Sequence, residues 1–166
     1  MSVVTQESLR LQIRSARAED VDPICDAIRR SIAELCVEDH KERNDILSAW
    51  LANKTPENIR HWITAPLQLT VVVEIDGNIA GVGQVSSDGK ILLNYVSPDF
   101  RFRGVSKAVM LAMEEHLRKT GVAVAQLVST GTARRFYQSM GYMQIGEPKL
   151  WRAGQLSYPM EKRLVN

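Results

Sequence analysis

The segment that decides the fold reads Pro98-Asp99-Phe100-Arg101-Phe102-Arg103-Gly104-Val105-Ser106-Lys107-Ala108. An apolar run at residues 91–96 precedes it, and a helical pattern that continues to about Thr120 follows it. A strand, a short basic turn with a glycine, and a helix bring free backbone N–H groups and the positive end of a helix dipole to one place. Two arginines and a lysine lie in the same turn. The segment therefore predicts a site for a phosphate or pyrophosphate group.

The composition of the chain is that of one ordinary globular domain. Its 166 residues are 45% apolar and 24% charged, which is enough to bury a real core. The net charge of +2 (21 basic minus 19 acidic residues) is too small to indicate nucleic-acid binding. Cys25 and Cys36 have neither the spacing of metal ligands nor the density of a disulfide scaffold. We read no signal peptide and no membrane span, and we expect a cytoplasmic protein without a metal, a nucleic-acid partner or a membrane partner.

Before the basic turn, the sequence predicts one strand, two helices and a three-stranded meander. The first strand is Leu11–Arg14, and the first helix runs from Ala16 to about Val37 with one apolar face. Thr55 and Pro56 have the pattern of an N-cap and first residue of a short helix, and residues 38–53 between the helices are polar and mixed. The meander consists of apolar runs joined by two tight turns, at 67–76, 79–85 and 91–96.

After the basic turn, the helix ends at Gly121 and a buried strand follows at 122–128. A helical crossover leads to this strand, so we expect it to be parallel to the strand before the turn. A short helix at 132–140 and two closing strands at 141–145 and 156–164 complete the pattern. The order β-α-α-β-β-β-α-β-α-β-β predicts a single α+β domain over 1–166, with a mixed sheet of about seven strands and about four helices.

This order and two motifs resemble the GNAT superfamily of acyl-CoA-dependent N-acetyltransferases, over nearly the whole chain from Leu11 to Leu164. The family's pyrophosphate motif, Q/R-x-x-G-x-G/A, is seen as Arg101-Phe102-Arg103-Gly104-Val105-Ser106, with serine in the last position. A second signature, Asn-x-x-Ala-x-x-[aromatic or Leu]-Tyr, is seen at 130–137 with Thr130 in place of the asparagine, and Gly141-Tyr142 follows as in the family.

The resemblance implies acetyl-CoA as the donor and assigns roles to individual residues. The strand before the turn would hold the pantetheine arm, carry a bulge, and splay from the next strand to open a V-shaped cleft. The amide of Val96 would polarise the thioester carbonyl, and the phenol of Tyr137 would protonate or hydrogen-bond the leaving thiolate. The implied coenzyme-binding residues are Tyr95, Val96, Arg101, Arg103, Gly104, Val105, Ser106, Lys107, Ala133 and Phe136.

Several alternatives stay open at the level of sequence. Five residues on suitable elements could act as the general base, and we do not rank them: Glu34, Asp39, His40, Glu74 and Asn94. Each of the three tryptophans either lines an acceptor site or packs as an ordinary core residue (Trp50, Trp62 and Trp151). The predicted function is acetyl transfer to a primary amine of a small molecule or protein, and a homodimer is possible. The alternative is a non-catalytic acyl-CoA sensor that keeps the coenzyme site.

Overall fold

The structure is a computed structural model that describes residues 11–151 and 154–164. Within these residues the chain forms six α-helices and eight strands. The helices are α1 (Val21–Leu35), α2 (Val37–His40), α3 (Asn44–Leu51), α4 (Pro56–Thr64), α5 (Val105–Lys119) and α6 (Arg134–Ser139). The strands are β1 (Leu11–Ser15), β2 (Gln68–Ile75), β3 (Asn78–Ser86), β4 (Ile91–Val96), β5 (Val124–Ser129), β6 (Met143–Gln144), β7 (Lys149–Trp151) and β8 (Gln155–Arg163).

The strands form two antiparallel sheets. The first has the order β1-β2-β3-β4, and the second has the order β5-β8-β6 with β7 paired to β8. In the described part of the chain, a single parallel bridge between Lys90 and Gln126 connects the two sheets. Beyond that bridge β4 and β5 are not paired, so a gap separates the facing edges of the two sheets.

The α+β fold class is confirmed, and the parallel direction of β5 relative to β4 is seen at the one bridge between them. The predicted mixed sheet is divided into two antiparallel sheets, because β4 and β5 separate after this bridge, as the resemblance implied for these strands. The described residues form eight strands and six α-helices, compared with the predicted counts of about seven strands and about four helices. The additional elements are short: α2 and α3 lie in the mixed region 38–53, and β7 lies in a predicted loop.

Local sequence explains the boundaries of several elements. Asp76 and Gly77 join β2 to β3 with φ angles of 50° and 80°, the two positive values that a type I′ hairpin turn requires. Thr55 caps α4, because its hydroxyl oxygen accepts a hydrogen bond from the Asn58 N–H at 3.2 Å. The predicted first helix begins later than expected, since a 3-10 turn at Ala18–Asp20 precedes α1.

The first sheet has a hydrophobic core on each face. Helix α5 packs on one face and contacts β2, β3 and β4, and α1 packs on the other face against β3 and β4. Gly81 and Gly83 on β3 allow α5 to approach closely, because a Cβ at either position would overlap a valine side chain of that helix. The sheet is therefore held between two helices, and its β4 edge is fixed in place beside the gap.

Candidate active site

Strand β4 presents two backbone N–H groups to the gap. The Ser97 N–H donates to the Ala80 carbonyl of β3 at 2.8 Å. Since successive N–H groups of a strand point to opposite sides, those of Asn94 and Val96 point away from β3. The pairing also slips, because Gln84 faces Leu93 whereas Val85 faces Ile91. The extra residue, Leu92, is a bulge of the kind that the resemblance implied, and it lies just after the bridge at Lys90 beyond which β4 and β5 are unpaired.

The turn after β4 has the backbone shape of an anion site. Phe102 and Gly104 have φ angles of 62° and 74°, and Gly104 is the N-cap of the 15-residue helix α5. A Cβ on Gly104 would meet nothing within 4 Å, so glycine is needed there for its conformation and not for packing. Left-handed residues next to a helix start turn consecutive N–H groups toward one point. This arrangement fits a pyrophosphate group.

Basic side chains surround this turn. Arg101, Arg103 and Lys107 are all exposed, and two of them lie on aromatic rings of the same turn. The ion pair between Arg30 of α1 and Asp99, at 2.8 Å, ties the turn to the first helix. These cations lie where they can attract the phosphate groups of a ligand held by the backbone N–H groups.

A cavity of about 230 Å³ opens at the gap, and we call it the tyrosine cavity after Tyr137. Side chains from α1, α2, β4, β5, α5 and α6 meet there. Its lining residues include Cys36, Asp39, Asn94, Val96, Ser106, Ala133 and Tyr137. Ser106 and Ala133 line this cavity, and Phe136 packs against the core beside the Tyr137 ring, with 5.3 Å between the ring centroids.

Tyr137 is buried, with only 8% of its surface exposed. Its hydroxyl oxygen accepts a hydrogen bond from the Asn94 side-chain amide at 3.2 Å. Burial raises the pKa of the Tyr137 phenol above its usual value of about 10, an effect that the Asn94 hydrogen bond only partly offsets. The phenol therefore keeps its proton at neutral pH, which is the state that a general acid needs.

Two buried oxygen atoms of the tyrosine cavity lack a hydrogen-bond partner among the described residues. They are Asp39 Oδ2 and Asn94 Oδ1. The other carboxylate oxygen, Asp39 Oδ1, accepts from the Thr132 N–H at 3.1 Å, and this contact fixes the side chain. Buried acceptors of this kind are costly unless a donor reaches them, so a hydrogen-bond donor from water or a ligand has to meet them.

Three of the five candidate bases make contacts outside the tyrosine cavity. His40 lies in α2 and is buried, where its Nδ1 accepts from the Glu42 N–H and its Nε2 lies 3.3 Å from the Ala33 carbonyl oxygen. It is therefore a structural histidine and not a solvated loop residue. Glu34 pairs with Arg30 on the surface of α1, and Glu74 pairs with Arg14 on the first two strands. Of the five candidates, the structure brings only Asp39 and Asn94 to Tyr137.

Both cysteines are free thiols. Burial raises the pKa of Cys36 to about 12, and it also raises that of Cys25, whose Sγ donates to the Lys54 carbonyl at 3.4 Å. Neither is a thiolate at neutral pH. Although Cys36 lines the tyrosine cavity, its protonation state does not suit it to act as a nucleophile.

A second cavity, of about 640 Å³, continues from the first, and we call it the tryptophan cavity. Trp50, Trp62 and Trp151 all line it, together with Lys54 from the segment before α4. The Trp50 Nε1–H donates to the Tyr95 hydroxyl at 3.2 Å, and the Trp50 and Trp151 rings meet edge to face with centroids 5.6 Å apart. The two cavities share six lining residues along the gap: Trp50, Leu92, Leu93, Tyr95, Val128 and Thr130.

Two parts of this site had no usable signal in the sequence. The contact between Asp39 and the Thr132 N–H joins residues 93 positions apart, and no motif surrounds Asp39. Lys54 is a single lysine in a polar segment, so nothing in its neighbours indicates that the folded chain buries it to 5% exposure. Both depend on how α2 and α3 pack beside α1.

With this geometry in view, comparison with known proteins assigns the class. The family model described as "Acetyltransferase (GNAT) domain" matches residues 34–164, which is more than half of the chain. The chain belongs to the GNAT acetyltransferase family. This membership confirms the predicted enzyme class, an acetyl-CoA-dependent acetyltransferase. No curated protein sequence matches the chain.

Solved structures show the same fold at low sequence identity. A GCN5-related N-acetyltransferase from Rhodopseudomonas palustris is 21% identical with a TM-score of 0.81, over 92% of this chain and 94% of that one. The PaiA N-acetyltransferase of Thermoplasma acidophilum, in complex with coenzyme A, is 16% identical with a TM-score of 0.76, over 93% and 99%. A putative acetyltransferase of Salmonella typhimurium with acetyl-CoA is 16% identical with a TM-score of 0.73, over 95% of each chain.

No helix among the described residues is long and apolar enough to cross a membrane. They also contain no group of three or more His, Cys, Asp and Glu residues that could hold a metal ion.

Proposed function

We propose that this protein transfers an acetyl group from acetyl-CoA directly to a primary amine, with Tyr137 as the general acid. The observation that carries the proposal is the tyrosine cavity itself. It places a protonated, buried phenol, an inward-pointing strand N–H group and a buried carboxylate oxygen around one small space. The coenzyme supplies the acetyl group as a thioester, and the residues of the chain bind, orient and exchange protons with the reactants.

The coenzyme's pyrophosphate fits the turn at 101–107. The N–H groups beside Gly104 and the dipole of α5 are fixed before any ligand arrives, so they can bind an anion without reorganising. Arg101, Arg103 and Lys107 add attraction for phosphate. From this turn the pantetheine arm would follow β4 through the gap toward the tyrosine cavity.

The carbonyl oxygen of the thioester would accept a hydrogen bond from the Val96 N–H. Because this group already points into the gap, it can stabilise negative charge on that oxygen as the amine attacks. An amine nitrogen forms a new bond to the acetyl carbon while the carbon–sulfur bond breaks. The Tyr137 hydroxyl gives its proton to the departing sulfur, and the Asn94 amide holds the phenol in place.

The attacking amine must also lose a proton, and Asp39 is placed to receive it. Its free Oδ2 and the free Oδ1 of Asn94 are the two acceptors that an incoming amine would satisfy. An amine that arrives as an ammonium ion gives its first proton to Asp39 before it attacks, and its second proton leaves to solvent as the amide forms. Solvent then returns a proton to Tyr137 and removes one from Asp39, so that protons balance over a full cycle. The residues of one cavity therefore account for every step of direct transfer.

The test is thiol release from acetyl-CoA with a panel of primary amines, together with calorimetric titration of coenzyme A. We expect coenzyme A to bind and at least one amine to release thiol at a saturable rate. Binding of coenzyme A without turnover on any amine would contradict the proposal and favour the acyl-CoA sensor. No binding at all would contradict both.

The remaining expectations about the protein in the cell are proposals of the same kind. A reducing, cytoplasmic compartment agrees with the two free cysteines. A homodimer would be tested by light scattering of the purified chain.

A further inference from the structure

We propose that the acetyl acceptor is a primary amine that also carries a flat apolar group and a carboxylate, and that it binds in the tryptophan cavity. This rests on the acetyltransferase function proposed above, because it names the substrate class of the same site. Two observations on the cavity carry it: the aromatic side chains of its walls and the sign of its charged lining residues.

The position and size of the cavity suit an acceptor. It shares Trp50, Tyr95 and Thr130 with the tyrosine cavity, so a ligand anchored among the tryptophans can extend its amine to Asp39. Its volume of about 640 Å³ lies within the range of roughly 300–1,000 Å³ that is typical of small-molecule sites.

The aromatic walls favour a flat apolar group. Trp50 is held by its hydrogen bond to Tyr95 and by the edge-to-face contact with Trp151, so its ring has a defined orientation. Trp62 lines the same cavity from α4. Rings that are already ordered bind another flat apolar surface at little cost in conformational entropy.

The charged lining residues favour an anionic group. The described residues that line the tryptophan cavity include Lys54 and Lys149 but no aspartate or glutamate. Lys54 is only 5% exposed, and its ammonium group donates to Asn53 Oδ1 at 2.6 Å and lies 5.9 Å from the Trp62 ring centre. A cation in such a dry environment attracts a carboxylate more strongly than an exposed one does.

The same charges disfavour polycationic acceptors. A polyamine or an aminoglycoside would place additional positive charges next to Lys54 and Lys149 without a carboxylate to pair them. Asp39 is the one carboxylate among the described residues that line the two cavities, and it lies in the tyrosine cavity, where it would receive the single reacting amine. The site is therefore arranged for one amine at one end and one carboxylate at the other.

A binding experiment tests the inference without turnover. The probes are 3-(indol-3-yl)propanoate, which has the ring and carboxylate but no amine, and its uncharged amide, each titrated calorimetrically in the presence of coenzyme A. We expect the wild-type protein to bind the carboxylate at least tenfold more tightly than the amide. Equal affinity for the two would overturn the inference, and this comparison needs no variant.

Variants then test whether Lys54 causes the preference for the carboxylate over the amide. Lys54→Met should reduce the ratio of the two affinities to less than about threefold. Lys119→Met is the matched control, because Lys119 is exposed at the end of α5 and pairs with Glu115, and it should keep the wild-type ratio. A folded Lys54→Met protein with an unchanged ratio would overturn the role of Lys54.

A turnover experiment separates this inference from the function on which it rests. The acceptors are tryptophan, phenylalanine and 4-(aminomethyl)benzoate, each compared with its decarboxylated counterpart, and spermidine. At least one acid should exceed its counterpart tenfold in kcat/KM. Acetylation of spermidine without any preference for the acids would overturn the inference and leave the acetyltransferase intact. Preferential binding of the propanoate without thiol release on any amine would instead overturn the acetyltransferase.

Discussion

At the scale of single residues, the chemistry depends on the proton of Tyr137. Its replacement by phenylalanine removes the proton donor and keeps the ring, so kcat should fall about 100-fold, within the range for general acids. The dissociation constant of coenzyme A should change little. Because burial raises the pKa of this phenol above its ordinary value of about 10, its ionisation should cause no loss of wild-type activity below about pH 9. The checks are steady-state kinetics from pH 6 to 10 and calorimetry. Tyr158→Phe is the control, since Tyr158 packs against Arg134 and should keep full activity.

Asp39 makes a separate prediction, because a base matters only while the amine is protonated. Asp39→Asn keeps the shape and the acceptor for the Thr132 N–H. At pH 7 its kcat/KM should be about 100-fold below wild type, and the deficit should shrink as the pH approaches the pKa of the amine. Glu38→Gln, on the same short helix but exposed, should leave the profile unchanged. A deficit that is the same at every pH would mean that Asp39 only positions other groups.

At the scale of elements, the two ends of α5 allow a matched test of the pyrophosphate turn. Gly104 and Gly121 both have positive φ angles, of 74° and 81°, and a Cβ at either meets nothing within 4 Å. Alanine should therefore cost each site a similar amount of folding free energy, about 1–2 kcal/mol. Gly104→Ala should also weaken coenzyme A binding about tenfold, because it disturbs the N–H groups of the turn. Gly121→Ala should leave coenzyme A binding unchanged. Equal affinities of the two variants for coenzyme A in calorimetry would show that the turn is not part of the coenzyme site.

Elements were predictable from sequence where local rules act and unpredictable where distant contacts act. The hairpin turn at Asp76-Gly77 and the Thr55 cap follow from backbone preferences. The turn joins the two predicted strands, and the cap begins the predicted short helix. Helices α2 and α3 are short, and their polar residues show no clear period, so they depend on packing against other elements, chiefly α1, for stability. The residues that they place, Asp39 and Trp50, could be suggested but not ranked. The split of the sheet also had no local signal, because a bulge such as that at Leu92 depends on the partner strand.

At the scale of the whole molecule, the gap can be stable only if something other than strand pairing joins the two sheets. Helix α5 packs on the first sheet, and its Glu114, which is fully buried, reaches the second. The Glu114 carboxylate accepts from Lys162 of β8 at 2.6 Å and from the Tyr142 hydroxyl, which lies just before β6, at 3.3 Å. This cluster joins the two halves of the protein, and its Tyr142 ring packs edge to face against the Tyr137 ring with 5.9 Å between the centroids.

Removal of that cluster should lower the free energy of unfolding far more than removal of a surface ion pair. Glu114→Ala leaves the Lys162 ammonium without its closest carboxylate, and loss of one partner of a fully buried pair costs about 3–5 kcal/mol. Since the Lys162 side chain is 21% exposed and can turn toward water, we expect about 2–4 kcal/mol, or a fall in Tm of about 5–15 °C. Glu115→Ala is the control on the same helix, because its pair with Lys119 is exposed and should contribute less than about 1 kcal/mol.

Lys162→Met with Glu114→Gln should recover much of the loss, since two neutral groups of similar size remove the buried charge. Thermal unfolding of the four proteins gives the comparison, and equal Tm values for the two alanine variants would mean that α5 joins the sheets by apolar packing alone.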